Sequence, residues 1–284
     1  MTQTGFAEIN DTTLYYEVAG EGRKEREGRE GRKGHPLVLL HGGLVDSRSW
    51  DDQFSDFAEH YQVVRYDMRG YGKSGRLKAD TKPYSLRQDL YALLQFLGIE
   101  KTYLIGLSMG GGLEIDFTLD HPEMVDALIL VGTGLSGFES KNSGNPLWAE
   151  ADEAFKAHDI PRAVEITLRI WTDGPERSPE EVDAKVRERV RAMSTFNFSR
   201  PDDQDAPEPL GLEPPAISRL SEIHAPTLIV VGDKDVRDIL TIADILEKGI
   251  AGAKKVVIPG TAHHLNMEKP AEFNRAVLDF LGGL

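Results

Sequence analysis

The stretch LIGLSMGGG, Leu104 to Gly112, is a short apolar run that leads into a glycine-flanked serine and then three consecutive glycines. Glycine inside a helix costs about 1 kcal/mol relative to alanine, so this triplet indicates a place where the chain needs bare backbone. We expect Thr102–Leu107 to form a buried strand and Ser108 to lie on a sharp turn into a helix.

A serine on such a strand-to-helix turn has an exposed hydroxyl, and the pattern Gly-x-Ser-x-Gly is typical of a nucleophile. The helix N-terminus directs backbone N–H groups at it, so the Met109 N–H could stabilise an oxyanion beside Ser108. A phosphate loop would need a Lys-Ser/Thr end or Gly-x-Gly-x-x-Gly, and the stretch has neither. Gly106 and Gly110 are expected to permit the turn. Gly111 and Gly112 are expected to allow close packing of the helix.

Around this stretch, strand-like runs alternate with helix-like segments, which predicts an α/β fold with a doubly wound, mostly parallel central sheet. Apolar runs without alternation are typical of strands buried on both faces. Helices are predicted over Ser85–Gly98, with Ser85 as its cap, and over about 270–281. The predicted strands are Thr12–Val18, Pro36–His41, Gln62–Asp67, Thr102–Leu107, Ala127–Gly132, Thr227–Gly232 and Lys254–Pro259.

Two segments interrupt this alternation. Residues 20–34 are rich in charge and glycine and have little to bury, so we expect a charged, flexible insert. Residues 137–220 show amphipathic helix patterns, including Ser178–Met193, and a stretch rich in proline and aspartate at 200–215. We predict a core made of 1–136 and 221–284, with a helical lid at 137–220.

Composition narrows the classes of partner and compartment. The 33 basic and 47 acidic side chains give a formal net charge of -14, which disfavours nucleic acid and anionic membranes as partners. The absence of cysteine excludes disulfides, a cysteine nucleophile and thiolate metal sites. We expect no signal peptide and no membrane span. A cytoplasmic protein is predicted, and its oligomeric state is not readable.

A nucleophilic serine needs a histidine base and a carboxylate that orients the histidine. Two turns that follow predicted strands supply both residue types on the edge of the sheet where Ser108 lies. One turn carries Asp233 and Asp235, and the next carries His263 and His264. The residues alone leave open which member of each pair takes part.

Several separate motifs resemble those of the α/β-hydrolase superfamily, in its lidded serine esterase and lactonase branch. The resemblance covers nearly the whole chain outside the charged insert and the lid. The motifs are LLHGG (Leu39–Gly43), YDMRGYGKS (Tyr66–Ser74), GLSMGGG (Gly106–Gly112), GDKD (Gly232–Asp235) and PGTAHHLNMEKP (Pro259–Pro270).

The resemblance implies roles for particular residues. The family's histidine stands five residues before a Glu-x-Pro, which gives His263, and its carboxylate is the third residue after the glycine, which gives Asp235. Asp233 as the acid and His264 as the base remain alternatives. A metal site on the histidine pair is disfavoured because adjacent side chains diverge and no third ligand spacing accompanies them.

The resemblance also places an oxyanion hole at the backbone N–H groups of Met109 and Gly43. Many relatives have an aromatic residue at the second position, so Gly43 leaves the space open or lets Leu44 fill it. His41 is expected to support its loop through hydrogen bonds. The resemblance implies that Asp67 and Arg69 form a buried or semi-buried structural turn.

The lid supplies large side chains that could meet a substrate. We select Trp148 and Trp171 of the lid, together with Leu44 beside Gly43, as substrate-binding candidates, although large aromatics usually pack cores. The aromatic candidates of the lid are Phe138, Trp148, Phe155, Trp171, Phe196 and Phe198.

The function that follows is a carboxylic-ester hydrolase for small to medium esters, acting through an acyl-enzyme without metal or cofactor. Its partner is a small-molecule ester or lactone. A lactonase or a C–C bond hydrolase would use the same triad. A slow small-molecule receptor, or more remotely a cofactor-free oxygenase, would keep the same fold. The serine at position 108 argues against relatives that use an aspartate nucleophile.

Overall fold

One eight-stranded sheet organises the computed structural model, which describes residues 2–20, 35–140, 146–200 and 206–284. Its strand order is β1-β2-β4-β3-β5-β6-β7-β8; β2 is antiparallel to both its neighbours, and the later pairs are parallel. The strands are β1 (Gln3–Ile9), β2 (Thr12–Ala19), β3 (Leu37–Leu40), β4 (Val63–Tyr66), β5 (Thr102–Leu107), β6 (Val125–Val131), β7 (Thr227–Gly232) and β8 (Lys254–Ile258).

Helices cover both faces of this sheet, which confirms the doubly wound α/β fold. The α-helices are α1 (Asp51–Ala58), α2 (Leu86–Phe96), α3 (Met109–Asp120), α4 (Pro146–Lys156), α5 (Ile160–Thr167), α6 (Ala184–Phe198), α7 (Arg237–Gly249), α8 (Leu265–Glu268) and α9 (Pro270–Gly282). A π-helical segment, Leu168–Asp173, continues α5. Short 3₁₀ turns lie at Ser47–Trp50, Pro122–Met124, Pro179–Glu181, Ala216–Ser218 and Leu220–Glu222.

The core consists of two apolar clusters, one on each face of the sheet. Leu93 of α2 and Leu246 of α7 belong to one, and Phe57 of α1 and Phe273 of α9 belong to the other. Every residue of the central strand β5 except the partly exposed Tyr103 is buried, which explains its continuous apolar run. Its Gly106 pairs with β3 on one side and β6 on the other, so Ser108 follows at the middle of the sheet's carboxyl edge.

The first strand, β1, was not predicted from the sequence. Only Ala7 of β1 is fully buried, so the strand lacks a strong apolar alternation. It pairs with β2 through a two-residue turn in which Asn10 and Asp11 have φ values of 46° and 58°. Asn and Asp tolerate this left-handed conformation, which matches the twist of a tight hairpin.

The segment between β6 and β7 contains helices and no strand among its described residues, as its pattern predicted. The predicted helix Ser178–Met193 was wrong at its start. Ser178 caps a single 3₁₀ turn with Glu181, and the long helix α6 begins later, where the Asp183 side chain accepts from the Lys185 N–H at 2.7 Å.

Three further sequence predictions concern the cap of α2, the charged insert and membrane spans. Ser85 occupies the cap position of α2, but its side chain makes no capping hydrogen bond. The charged insert 20–34, apart from Gly20, lies outside the described residues, as do residues 201–205. None of the described helices has the length and apolar character needed to cross a membrane.

Candidate active site

Ser108 occupies a strained backbone position between β5 and α3. Its φ of 55° lies in the left-handed region that side chains other than glycine rarely adopt. The surrounding backbone holds it there: the Ser108 N–H donates to the Val131 carbonyl at 2.9 Å, and the Ser108 carbonyl accepts from Gly112 and Gly134 at 3.0 Å. Such strain persists where neighbouring structure over-determines it, and it is common at reactive residues.

Three of the four glycines around Ser108 are sterically required. A Cβ on Gly106 would lie 2.4 Å from the Gly110 carbonyl carbon, and a Cβ on Gly110 would lie 2.4 Å from the Leu40 carbonyl oxygen. A Cβ on Gly111 would lie 1.8 Å from Thr133 Oγ1. The close-packing role predicted for Gly112 was wrong, because a Cβ there meets nothing nearer than 3.5 Å.

This difference gives a matched pair of stability predictions. Gly111→Ala forces Thr133 and the backbone apart and should lower the free energy of unfolding by about 2 to 4 kcal/mol, the range of strong overpacking and backbone strain. Gly112→Ala adds a good helix former without a clash and should raise it by up to about 1 kcal/mol. Urea unfolding of both variants measures the effects; equal losses in both would contradict the assigned contacts.

His263 and Asp235 form a buried hydrogen-bonded pair at the ends of β8 and β7. The His263 Nδ1–Asp235 Oδ2 distance is 2.9 Å, and both residues are at most 3% exposed. The other carboxylate oxygen, Oδ1, accepts from the Val236 N–H at 2.7 Å. Both oxygens of Asp235 are therefore fixed, and the Nδ1 atom of His263 is committed to Asp235, which leaves Nε2 as the ring nitrogen for chemistry.

The two alternatives left open by the sequence have other partners. Asp233 Oδ1 accepts from the Gly260 N–H at 2.5 Å, at an exposed position. His264 is buried with its Nδ1 3.2 Å from Thr172 Oγ1. Burial, and secondarily the neighbouring His263, lowers the pKa of His264 to about 3. This geometry favours Asp235 as the acid and His263 as the base.

A cavity of about 180 Å³, here called the first cavity, brings these groups together. It is lined by Gly42, Gly43, Leu44, Val45, Leu107, Ser108, Met109, Trp171, His263 and His264. Ser108, His263 and the two oxyanion candidates thus border one space. No group of three or more His, Asp or Glu side chains that could hold a metal ion occurs in the described parts of the chain.

The oxyanion candidates have free backbone donors. Among the described residues, neither the Gly43 N–H nor the Met109 N–H donates a backbone hydrogen bond. Met109 begins α3, where first-turn N–H groups have no intrahelical acceptor. Both donors border the first cavity beside Ser108, which suits them to bind a developing negative charge.

The substrate-binding candidates separate in the structure. Leu44 and Trp171 line the first cavity. The Trp171 ring centroid lies 4.4 Å from that of His263, and the Trp171 carbonyl accepts from the His263 N–H at 3.2 Å. Trp148 packs edge-on against Trp171 at 5.3 Å and is not among the residues that line this cavity.

His41 and Asp67, from two of the resembled motifs, both make hydrogen bonds that hold loops near the site. His41 is buried; its Nδ1 lies 2.8 Å from the Gly42 carbonyl and its Nε2 accepts from the Met68 N–H at 2.9 Å. Burial lowers the pKa of His41, so the ring is neutral and holds the loop beside Gly43. Asp67 accepts from the backbone N–H groups of Ser47 and Lys73.

Arg69 makes a bidentate ion pair with Asp89, with two N–O distances of 2.8 Å between buried side chains. A third Arg69 contact, from Nη2 to the Asn10 carbonyl at 2.7 Å, ties the β1–β2 hairpin to this pair. Arg69 is therefore part of a buried structural turn, the role that the resemblance implied for it.

One supporting network was missed at the sequence level. Arg177 donates to both oxygens of Glu268 at 2.6 and 3.1 Å and to the Thr172 carbonyl at 2.8 Å. Glu268 in turn accepts from the Ala262 N–H at 2.8 Å. The network joins the π-helical segment to the loop that carries His263. No local pattern around Arg177 distinguishes it from a surface arginine.

A second buried group went unnoticed in the sequence. Glu114, on α3 one and a half turns beyond Ser108, is inaccessible, and neither of its carboxylate oxygens makes a well-formed hydrogen bond with the described residues. Burial raises the pKa of Glu114 well above its ordinary value, while the nearby Gly106 backbone opposes this more weakly. The carboxyl group is therefore protonated in the folded protein over a range in which it ionises in the unfolded chain.

This protonation predicts a specific pH dependence of stability. At pH values between the pKa of Glu114 in the unfolded chain, about 4.3, and its higher pKa in the folded protein, only the folded state keeps the proton on this carboxyl group. The free energy of unfolding therefore falls as pH rises through this range. Glu114→Met removes this penalty, so its unfolding free energy relative to wild type should increase from pH 4.5 to pH 8. Urea unfolding across this range measures it, with the exposed Glu100→Met as control. A pH-independent difference would refute the buried, protonated state.

Comparisons with known proteins agree with this architecture. The family model of the alpha/beta hydrolase fold matches residues 35–162. RutD of Klebsiella pneumoniae (strain 342), which carries the provisional name of a carbamate hydrolase, is 26% identical over 265 residues, covering 88% of this chain and 93% of RutD.

Two further relatives differ in the chemistry that their names state. The 2-hydroxy-6-oxo-6-phenylhexa-2,4-dienoate hydrolase of Comamonas testosteroni is 25% identical over 295 residues, covering 96% of this chain and 93% of that enzyme. The structure of Est816, described as an N-acyl homoserine lactone degrading enzyme, has a TM-score of 0.71 and 26% identity, covering 97% and 100% of the two chains. The names of these relatives state different substrates: a carbamate, a dienoate and a lactone.

Proposed function

The chain belongs to the α/β-hydrolase superfamily and is a hydrolase, and we propose that it cleaves small to medium carboxylic esters through an acyl-enzyme on Ser108. One observation carries the proposal. Ser108 lines the same cavity as His263, whose Nδ1 is hydrogen-bonded to a buried carboxylate at 2.9 Å. This is the arrangement that activates a serine hydroxyl.

In the first half of the reaction, His263 Nε2 takes the proton of Ser108 Oγ as the oxygen attacks the ester carbonyl carbon. The carbonyl oxygen becomes an oxyanion, which the N–H groups of Gly43 and Met109 bind. The protonated imidazole then gives its proton to the departing alkoxide. The products are an alcohol and an ester between the acyl group and Ser108.

In the second half, His263 removes a proton from water, and the resulting hydroxide attacks the acyl carbon. The oxyanion forms again at the same two donors, and Ser108 Oγ leaves with the proton that His263 returns. Asp235 keeps the Nδ1–H of His263 in place and stabilises the imidazolium at both stages. Apart from the ester and one water molecule, these steps use groups that the chain itself supplies.

The surroundings of His263 support this role. Trp171 covers one side of the imidazole, and its π-face is a favourable neighbour for the ring when it is positively charged. The Arg177–Glu268 network holds the loop that carries His263. We propose that residues 137–220, which supply Trp171 and Arg177, form a cap on a core made of residues 1–136 and 221–284.

Lactone opening is a second candidate, favoured by the likeness to a lactone degrading enzyme. It uses the same attack and the same oxyanion donors; the leaving oxygen stays attached to the acyl group. C–C bond hydrolysis is the analogous reaction suggested by the dienoate hydrolase relative. A substrate panel that includes esters, lactones and a vinylogous diketone separates the three.

The direct test combines turnover with covalent labelling. We expect release of p-nitrophenol from the acetate and butyrate esters. We also expect Ser108 Oγ to attack the phosphorus of a fluorophosphonate and displace its fluoride, which adds the phosphonyl mass to Ser108. Peptide mass spectrometry identifies the labelled serine. Absence of turnover on all three substrate classes together with an unlabelled Ser108 would overturn the proposal and favour a binding protein.

A further inference from the structure

His264 borders the first cavity, and the proposed mechanism gives its imidazole no task. The ring lies nearly perpendicular to that of His263, with 5.7 Å between the two centroids. Ser108 and the two oxyanion donors border the same space. A polar atom of His264 that is open to this cavity can therefore meet a substrate within a few bonds of the carbonyl that Ser108 attacks.

The hydroxyl of Thr172 fixes which nitrogen of His264 carries the proton. Thr172 is inaccessible, and its Oγ1 lies 3.2 Å from His264 Nδ1. Oγ1 makes no other hydrogen bond with the described residues. A sealed hydroxyl that donated nowhere would be an unpaired buried donor, which is costly. The hydroxyl therefore donates to Nδ1, and the neutral ring carries its own proton on Nε2.

His264 Nε2 is a donor that is open to the first cavity. It makes no hydrogen bond within the described part of the chain, and it is not sealed as the unpaired Trp50 Nε1 and Asn266 Oδ1 are. The open space that His264 borders is the first cavity. Burial lowers the pKa of His264 to about 3, so the ring stays neutral and keeps this one donor at neutral pH.

The π-helical segment Leu168–Asp173 brings the parts of this arrangement together. Segments of this kind are rare and occur frequently at functional sites. Here two consecutive side chains of the segment meet two consecutive histidines: the Trp171 ring covers His263 at 4.4 Å between centroids, and Thr172 contacts His264. The segment that covers the proposed base therefore also sets the tautomer of the next residue.

The lining of the first cavity favours an uncharged acceptor for this donor. Its described lining residues include no Lys, Arg, Asp or Glu. An anionic group held there would lose its hydration without a permanent cation beside it, which is strongly unfavourable. A neutral ether, keto or hydroxyl oxygen needs only one donor, and His264 supplies it.

We propose that His264 determines specificity by donating a hydrogen bond from Nε2–H to a second oxygen of the substrate, and that Thr172 is the residue that positions it. The inference rests on the proposed serine hydrolysis. The substrate class is then an uncharged ester that carries an ether, keto or hydroxyl oxygen within a few bonds of the scissile carbonyl carbon, in its acyl part or in its alcohol part.

The test compares esters that differ by one oxygen in place of one methylene near the reacting carbonyl. Two p-nitrophenyl pairs vary the acyl part: methoxyacetate against butanoate, and 3-methoxypropanoate against pentanoate. One pair varies the alcohol: 2-methoxyethyl acetate against butyl acetate. The oxygen preference of a protein is the ratio of the two kcat/KM values within a pair.

The expected result is a change in this ratio when the donor is removed. The inductive effect of the added oxygen is the same for every variant, so a change in the ratio reports the hydrogen bond. In at least one pair the ratio should be about fivefold higher in the wild type than in His264→Phe, the usual net effect of one neutral hydrogen bond. His224→Phe, at an exposed histidine that precedes β7, is the control that should retain the wild-type ratio.

Substitutions at Thr172 test its positioning role. Thr172→Val keeps the shape and removes the hydroxyl, so the ratio should fall toward that of His264→Phe, whereas Thr172→Ser keeps the hydroxyl and should preserve it. Adding Thr172→Val to His264→Phe should change the ratio no further. An unchanged ratio in Thr172→Val would overturn the positioning role, since a merely structural residue lowers kcat/KM for both esters alike. Thermal unfolding shows whether each variant is folded.

Binding to the Ser108→Ala protein separates this inference from the proposed function. Calorimetry gives the dissociation constants of each pair of esters for Ser108→Ala and for the double variant with His264→Phe. The ratio of the two constants should differ by about fivefold between these proteins in the pair that shows the kinetic effect. Equal ratios of affinity and of kcat/KM with and without His264, in all three pairs, would overturn the inference while leaving serine hydrolysis intact. Undiminished turnover in Ser108→Ala would instead overturn the proposed function, and the binding ratios would still decide the role of His264.

Discussion

Replacing Ser108 by alanine is expected to lower kcat/KM for p-nitrophenyl butyrate by about 10⁴- to 10⁶-fold, the size of effect that follows loss of a serine nucleophile. The substitution removes only Oγ. The oxyanion donors Gly43 and Met109, the His263–Asp235 pair and the cavity walls all remain. Residual hydrolysis should therefore exceed that in water and should show no burst of p-nitrophenol, because no acyl-enzyme can form.

The folded structure should tolerate this change. Alanine has the same backbone restrictions as serine at a φ of 55°, and the hydrogen bonds that fix position 108 involve only its backbone N–H and carbonyl. The melting temperature should stay within a few degrees of wild type. Ser221→Ala, at an exposed serine, serves as the control with unchanged kinetics. More than a tenth of wild-type activity in Ser108→Ala would place the nucleophile elsewhere.

The central strands were predictable because burial on both faces produces runs that polar residues do not interrupt. Both β5 and β7 have the predicted bounds, Thr102–Leu107 and Thr227–Gly232. The edge strand β1 was missed because one face of it meets solvent and its exposed residues include Phe6, which blurs the alternation. The start of α6 was misplaced because two capping signals, Ser178 and Asp183, occur in succession and the sequence does not rank them.

Some residues of the candidate site were also predictable from the sequence, and others were not. Ser108, His263 and Asp235 follow strands of one parallel sheet, so their convergence at one edge could be inferred from strand order and motif spacing. Trp171 could be named but not placed, because its position depends on how the helical segment packs against the sheet. The choice between Asp233 and Asp235 was open because both lie on the turn after β7, and only the fold shows which carboxylate meets His263.

Asp235→Asn and Asp233→Asn form the experiment that decides this choice. Asp235→Asn should lower kcat by about 10³- to 10⁴-fold and change KM little, because an amide in place of Oδ2 can present an N–H to His263 Nδ1 and favour the wrong tautomer. His263 Nε2 would then carry the proton and could not accept one from Ser108. The effect is smaller than that of Ser108→Ala because the nucleophile and the oxyanion donors remain.

Asp233→Asn makes the same chemical change, one carboxylate oxygen replaced by an amide nitrogen, on the same turn and is the matched control. Its carboxylate touches the exposed Gly260 N–H, which an amide oxygen can also accept, so kcat/KM should change less than threefold. Reciprocal results, with Asp233→Asn the more damaging, would mean that the turn rearranges when substrate binds and that Asp233 orients His263. A small effect of both would mean that burial beside Trp171 alone keeps the imidazole in place, since the backbone bond from His263 to the Trp171 carbonyl does not involve either carboxylate.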